Sequence, residues 1–159
     1  MAAPRTDAGK AKSILILNGP NLNMLGVREP SIYGSDTLKD IVTAAARRAT
    51  ELGFLTDARQ SNHEGDLVTW IQQARAEHDG IIINPAGFTS TSIAILDALL
   101  LCDKPVIEVH LSNIHRREEF RHMSYVSKAA QGVICGLGAH GYVLAVEAMA
   151  RILGAKGGK

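Results

Sequence analysis

Short apolar runs alternate with longer stretches of helical period along the chain, and the alternation repeats five times. Ser13–Leu17 is the first apolar run and reads as a strand. From Thr37 to Leu52 the apolar positions recur at helical spacing, with Thr37 and Asp40 placed as a capping pair and Gly53 as a stop. Phe54–Gln60 is a second strand whose polar content predicts a sheet edge. Glu64–Glu77 has helical period, and Gly80–Asn84, with Ile81, Ile82 and Ile83 in a row, has the pattern of a strand covered on both faces. Ser92–Leu101 reads as an amphipathic helix, Pro105–His110 and Gly132–Gly136 as the fourth and fifth strands, and Ala139–Leu153 as the closing helix. Five such units are too few for an eightfold barrel. The pattern therefore predicts an α/β fold, an open, doubly wound five-stranded parallel sheet of flavodoxin-like order 2-1-3-4-5.

That order has a consequence for function. Ligands of such sheets bind outside the carboxyl ends of the strands, at the switch between strands 1 and 3. Polar residues gather at those ends: Asn18 and Asn21 after the first strand, Asn84 and the Gly87–Ser92 turn after the third, and His110, Ser112 and Asn113 after the fourth. The loop that follows Asn21 also carries Arg28 and Tyr33. A tyrosine acts as a base near neutral pH only if its phenolate is stabilised, which a cation five residues away can do. Each of these residues has a plainer reading as well. Asn18 and Asn21 flank Gly19-Pro20 and suit a turn, Ser90 and Ser92 suit helix caps, Arg28 and Glu29 suit a solvated pair, and Tyr33 suits a loop anchor.

Composition narrows the classes. At 159 residues the chain suits one domain, over residues 13–153, with polar tails at 1–12 and 154–159 expected to fray. A formal net charge of +1 gives no reason to expect a nucleic-acid partner. No apolar run approaches the roughly 20 residues that span a bilayer, and residues 1–12 lack an apolar segment, so a cytoplasmic protein is expected. Cys102 and Cys135 sit in apolar company without CxxC spacing and read as buried free thiols.

Glu108 and His110 are the more specific pair. Two apart on a strand, they share a face, and a carboxylate beside an imidazole fixes its tautomer and favours the protonated ring, as a general acid requires. The fourth strand is internal in the expected order, so a Glu–His pair there is buried and calls for a function. Gly136–Gly141 mimics the G-x-G-x-x-G dinucleotide fingerprint, but it sits in the last unit with no acidic residue about 20 positions on. It reads as a tight strand-to-helix turn. His63, His78, His115, His122 and His140 have no metal-ligand spacing, so no metal is expected. A non-catalytic flavodoxin-like module for metabolites or nucleotides is the alternative, and it would need phosphate-gripping loops but no acid/base pair. A metal-dependent hydrolase would need clustered ligands.

Four segments, Leu17–Gly34, Arg59–Ile71, Ile83–Ser92 with Asp97, and Ile107–Tyr125, closely resemble the type II 3-dehydroquinate dehydratases, and the resemblance extends over nearly all of Ser13–Leu153. It implies a flavodoxin-like fold assembled as a dodecamer of trimers. The implied activity is cofactor-free anti elimination of water from 3-dehydroquinate through an enolate, in the shikimate pathway or in quinate breakdown. Carried over by position, Tyr33 is the base, Arg28 lowers its pKa, Asn21 holds a water against the enolate oxygen, and His110, oriented by Glu108, is the acid. Asn84, Ser112 and the amides of Leu111 and Ser112 match the grip on the substrate carboxylate, and Arg121 a contact to a ring hydroxyl. Asp97 matches a residue that reaches a neighbouring subunit's site. Ser90 stands where many relatives have histidine, and its shorter side chain leaves open a direct contact or one through water. Gly26 and Gly34 bracket the Arg28–Tyr33 segment as hinges of a lid.

Overall fold

The computed structural model describes residues 9–27, 29–33 and 35–154. Five strands, β1 (Ser13–Asn18), β2 (Leu55–Gln60), β3 (Gly80–Asn84), β4 (Val106–His110) and β5 (Gly132–Cys135), pair in parallel in the order β2-β1-β3-β4-β5. Between them run α2 (Leu38–Glu51), α3 (Glu64–Glu77), α4 (Ile93–Cys102) and, last, α5 (His140–Ile152). Strand alternation sorts the core into two layers. Ile14 and Ile16 of β1, Ile82 of β3 and Val109 of β4 pack with α2 and α5. Leu15, Leu17, Ile81, Ile83 and Val106 pack with α3 and α4 on the other face. Glu108 falls on the α4 face with Val106, and the buried His110 follows it on the same face of β4.

The start of α2 follows from its sequence. Thr37 accepts the Asp40 N–H, and Asp40 returns a carboxylate to the Thr37 N–H at 3.0 Å, a reciprocal capping box. Past its end Gly53 has φ +86, a left-handed turn that glycine takes without strain. Gly136 and Gly138, at φ +87 and +60, make the tight turn from β5 into α5, where a side chain at Gly136 would press on Asn113.

Several expectations change. A short helix, α1 (Pro30–Tyr33), interrupts the loop after β1, with proline at its first position, where the missing N–H costs nothing. The helix at 92–101 is not amphipathic: α4 is apolar nearly all round, and Ile93, Leu100 and Leu101 are exposed. Cys102 is buried but Cys135 is only partly so, because β5 lies at the open edge of the sheet; both thiols are free. Lys12, placed in the tail by sequence, is tied down: its carbonyl accepts the Leu55 N–H at 2.9 Å and its ammonium donates to the Leu153 carbonyl at 2.6 Å. Of the expected tails, 1–8 and 155–159 lie outside the described residues.

Candidate active site

The carboxyl ends of β1, β3 and β4 open onto a cavity of about 180 Å³. The loop after β1 contributes Asn21. It sits at φ 69, a left-handed conformation that asparagine tolerates, and its N–H donates to Asn62 Oδ1 at 2.9 Å. Gln60, at the end of β2, donates to the same Asn62 oxygen at 3.1 Å and to the Gly19 carbonyl at 3.2 Å, so the edge strand braces the turn. After β3 come Asn84 and Ser90. After β4 come His110, Leu111 and Ser112, with Arg121 further along the same connection. Three strand ends thus bring these seven expected residues around one space.

Asn84 is nearly fully buried and its amide is oriented from two sides. Its Oδ1 accepts the Ala86 N–H at 3.1 Å, and its Nδ2 donates to the Tyr142 hydroxyl at 2.9 Å. That hydroxyl donates in turn to Asn18 Oδ1 at 2.7 Å, and Asn18 Nδ2 donates to the Arg59 carbonyl at 3.2 Å. The chain of donors runs one way, and it leaves the second Nδ2 hydrogen of Asn84 to the cavity. Burial pushes the Tyr142 phenol above its ordinary value, so it stays a neutral hydroxyl.

His110 lines the cavity while Glu108, fully buried, lies behind it at 2.6 Å from His110 Nε2. With Nε2 engaged, Nδ1 is the ring nitrogen without a partner among the described residues. Burial alone raises the pKa of Glu108. Hydrogen bonds from His110, Ser127 and Ser124, and the charge on His110, outweigh it and hold the carboxyl below the usual carboxylate value. Thr89 donates to the same carboxylate at 2.8 Å.

Ser90 turns its hydroxyl to the Met123 carbonyl at 2.9 Å, and the cap of α4 is Ser92, whose Oγ accepts the Ile95 N–H at 2.9 Å. Arg121 pairs with Glu118 at 3.0 Å and covers the Phe120 ring. Asp97 is exposed on α4, away from this cavity. Arg28, Gly34 and the side chain of Tyr33 lie outside the described residues, and with them the expected base, its cation and one lid hinge. Sequence reading missed Thr89, Ser124, Ser127, Tyr142, Asn62 and Arg117. Arg117 lines the cavity and was legible only as one of several basic residues after the fourth strand.

The family model described as "Dehydroquinase class II" matches residues 12–150. This chain belongs to the type II dehydroquinase family. A 3-dehydroquinate dehydratase of Streptomyces avermitilis is 59% identical over 150 residues, which cover 94% of each chain. A catabolic 3-dehydroquinase of Aspergillus clavatus is also 59% identical, over 87% of this chain and 93% of that one. The crystal structure of type II dehydroquinase from Propionibacterium acnes superposes with a TM-score of 0.85 at 47% identity, covering 89% of this chain and 97% of the other. The dehydroquinase family assignment and the sheet order agree, and the cavity lies at the switch point that this order creates.

Proposed function

We propose that this dehydroquinase converts 3-dehydroquinate to 3-dehydroshikimate and water by anti elimination through an enolate, with residues 13–153 acting as one catalytic domain. The buried Glu108–His110 pair opening onto a cavity rimmed by Asn21, Asn84, Ser112 and Arg121 carries this reading. Elimination needs a base at C2, a site for enolate charge at the C3 oxygen and an acid at the C1 hydroxyl. His110 is the acid, working through Nδ1 because Glu108 occupies Nε2. Asn21 holds a water at the enolate oxygen, where a preorganised donor is worth roughly 3–4 kcal/mol. Asn84, Ser112 and the amides of Leu111 and Ser112 take the carboxylate, and Arg121 a ring hydroxyl. Ser90, whose hydroxyl is spent on Met123, reaches substrate through water.

Tyr33 is the base and Arg28 its activating cation. Lowering a phenol by two pH units takes about 2.7 kcal/mol, which one guanidinium in a dry site can supply. No cofactor or metal is needed for these steps, and the substrate is a small molecule rather than a nucleic acid or a membrane. The chain works as a homo-oligomer, a dodecamer of trimers, with Asp97 reaching the site of a neighbour. The exposed apolar residues flanking Asp97 on α4 support an assembled form. The free thiols of Cys102 and Cys135 support a reducing compartment, the cytoplasm.

The test is an ultraviolet assay for the conjugated enone on adding 3-dehydroquinate. A steady rise is expected from the wild type, and His110→Ala should lose roughly 10²–10⁴-fold in kcat. No enone from folded wild-type protein would overturn the function, and unchanged turnover in His110→Ala would overturn the choice of acid.

A further inference from the structure

Glu108 is fully buried, and each polar side chain within hydrogen-bond reach of its carboxylate can donate to it. Thr89 Oγ1 and Ser124 Oγ donate to Oε1 at 2.8 and 2.7 Å, His110 Nε2 meets the same oxygen at 2.6 Å, and Ser127 Oγ donates to Oε2. Three of these groups converge on Oε1 and one on Oε2, so both carboxylate oxygens accept. The hydroxyls are held in turn. Ser124 Oγ accepts the Ser127 N–H at 3.1 Å, which directs its own proton outward, and it lies 2.6 Å from Thr89 Oγ1. The segments that carry these hydroxyls are laced together by Tyr125 N–H to the Thr89 carbonyl at 2.8 Å and by Ser90 Oγ to the Met123 carbonyl at 2.9 Å. The loop after β3 and the connection after β4 therefore close over the carboxylate from two sides. An anion accepts from all of these donors, whereas a protonated Glu108 must turn one hydroxyl, or Nε2 of a neutral His110, from donor to acceptor.

We infer that Thr89, Ser124 and Ser127 are positioning residues that decide which partner of the buried pair carries the second proton. They hold Glu108 as the anion, so that His110 takes the proton and presents a cationic Nδ1–H to the cavity. Without them the proton moves from imidazolium Nε2 to the carboxylate: the Nε2–H bond breaks, an Oε–H bond forms and the charge of the pair is unchanged. What then faces the cavity is the Nδ1–H of a neutral imidazole, a far weaker acid. The ionisable group whose charge acts on Glu108 is His110. Arg117 and Arg121 line the same cavity, both close to Glu118, and their charge opposes a further cation on His110. The Glu108 anion is thus the decisive counter-charge for the imidazolium.

The kinetic consequence rests on the proposed dehydratase reading, while the protonation state does not, so the test separates the two. Ring ¹⁵N spectra of the full chain without substrate, recorded in mild acid where the fold is retained and assigned through loss of the His110 signals in His110→Ala, should show both ring nitrogens protonated. Ser127→Ala and Thr89→Val should show a neutral ring with Nδ1–H under the same conditions. Their kcat should fall about tenfold or more, with KM within about twofold, since a hydrogen bond to a charged group is at stake. Ser127→Thr, which keeps the hydroxyl, should restore both the spectrum and kcat. A neutral His110 ring in acid in the wild type overturns the inference without recourse to any variant. A cationic ring retained in folded Ser127→Ala overturns it as well. Ring protonation that follows the hydroxyls in a protein that releases no enone upholds the inference and rejects the dehydratase reading.

Discussion

Tyr142 lies on α5, far in sequence from the strand ends, yet its hydroxyl stands between Asn18 and Asn84 in the fully buried layer beneath the cavity. Removing it leaves the Asn18 carbonyl and one Asn84 hydrogen without partners. Tyr142→Phe should therefore cost about 1–3 kcal/mol in denaturant unfolding. It should raise KM more than it lowers kcat, because Asn84 is loosened while the acid is untouched; a kcat loss at constant KM would contradict that placement. Glu108 makes a second prediction at this scale. Its carboxyl titrates lower in the folded protein than in the unfolded chain, so its stabilisation is complete above the unfolded value and is lost as pH falls through the folded one. Glu108→Gln should be less stable than wild type near neutrality, and the gap in denaturation midpoint should shrink at pH values below the ordinary carboxylate range. The Glu108–His110 pair was legible in sequence because alternation puts residues two apart on one face. The hydroxyls around it and Tyr142 were not, since irregular segments and a distant helix bring them there and no spacing rule links them.

At the scale of elements, the strands and main helices stand close to where periodicity puts them, because the burial of both sheet faces demands long apolar runs and two-sided helix cover. Boundaries move by a residue or two at caps. What periodicity cannot reach are the short turns of 22–24, 86–90, 114–116, 119–121 and 126–128, and α1. Their shapes come from local caps such as Asn113 Oδ1 on the His115 N–H, and from contacts between loops. Nor could the apolar outer face of α4 be separated from core by pattern alone, since a helix apolar all round normally signals burial. The junction of β1 and β3 shows how tightly the elements set the site. Gly19 donates its N–H to the Asn84 carbonyl at 2.8 Å, and a Cβ on Gly19 would stand 2.4 Å from the Pro85 carbonyl oxygen. Gly19→Ala must push apart the two loops that bear Asn21 and Asn84. It should cost about 1–3 kcal/mol as an overpacked contact, and it should weaken kcat and KM together; unchanged kinetics in a folded variant would show that these loops adjust independently.

For the whole molecule, the question is what the outer face of α4 is for. Ile93, Leu100 and Leu101 are more than half exposed at 55%, 59% and 64%, and each lies about one turn from Asp97 on the same face of the helix. An apolar stripe of this kind is costly to leave in water, and the proposed assembly would cover it. Asp97, which does not reach the cavity of its own chain, is then placed on a surface where a second copy would meet it. Two variants separate assembly from catalysis. Leu101→Glu should put a charge into that interface and shift the sedimentation coefficient to smaller species, with KM raised because the neighbour's Asp97 is withdrawn. Asp97→Ala should leave the sedimentation coefficient unchanged and raise KM about tenfold, the scale of one lost charged hydrogen bond. His110 and Glu108 belong to one chain, so the acid should survive in both and kcat at saturating 3-dehydroquinate should fall less than kcat/KM. A Leu101→Glu protein verified as a monomer with full kcat/KM would show that each chain completes its own site, and the shared role of Asp97 would fail.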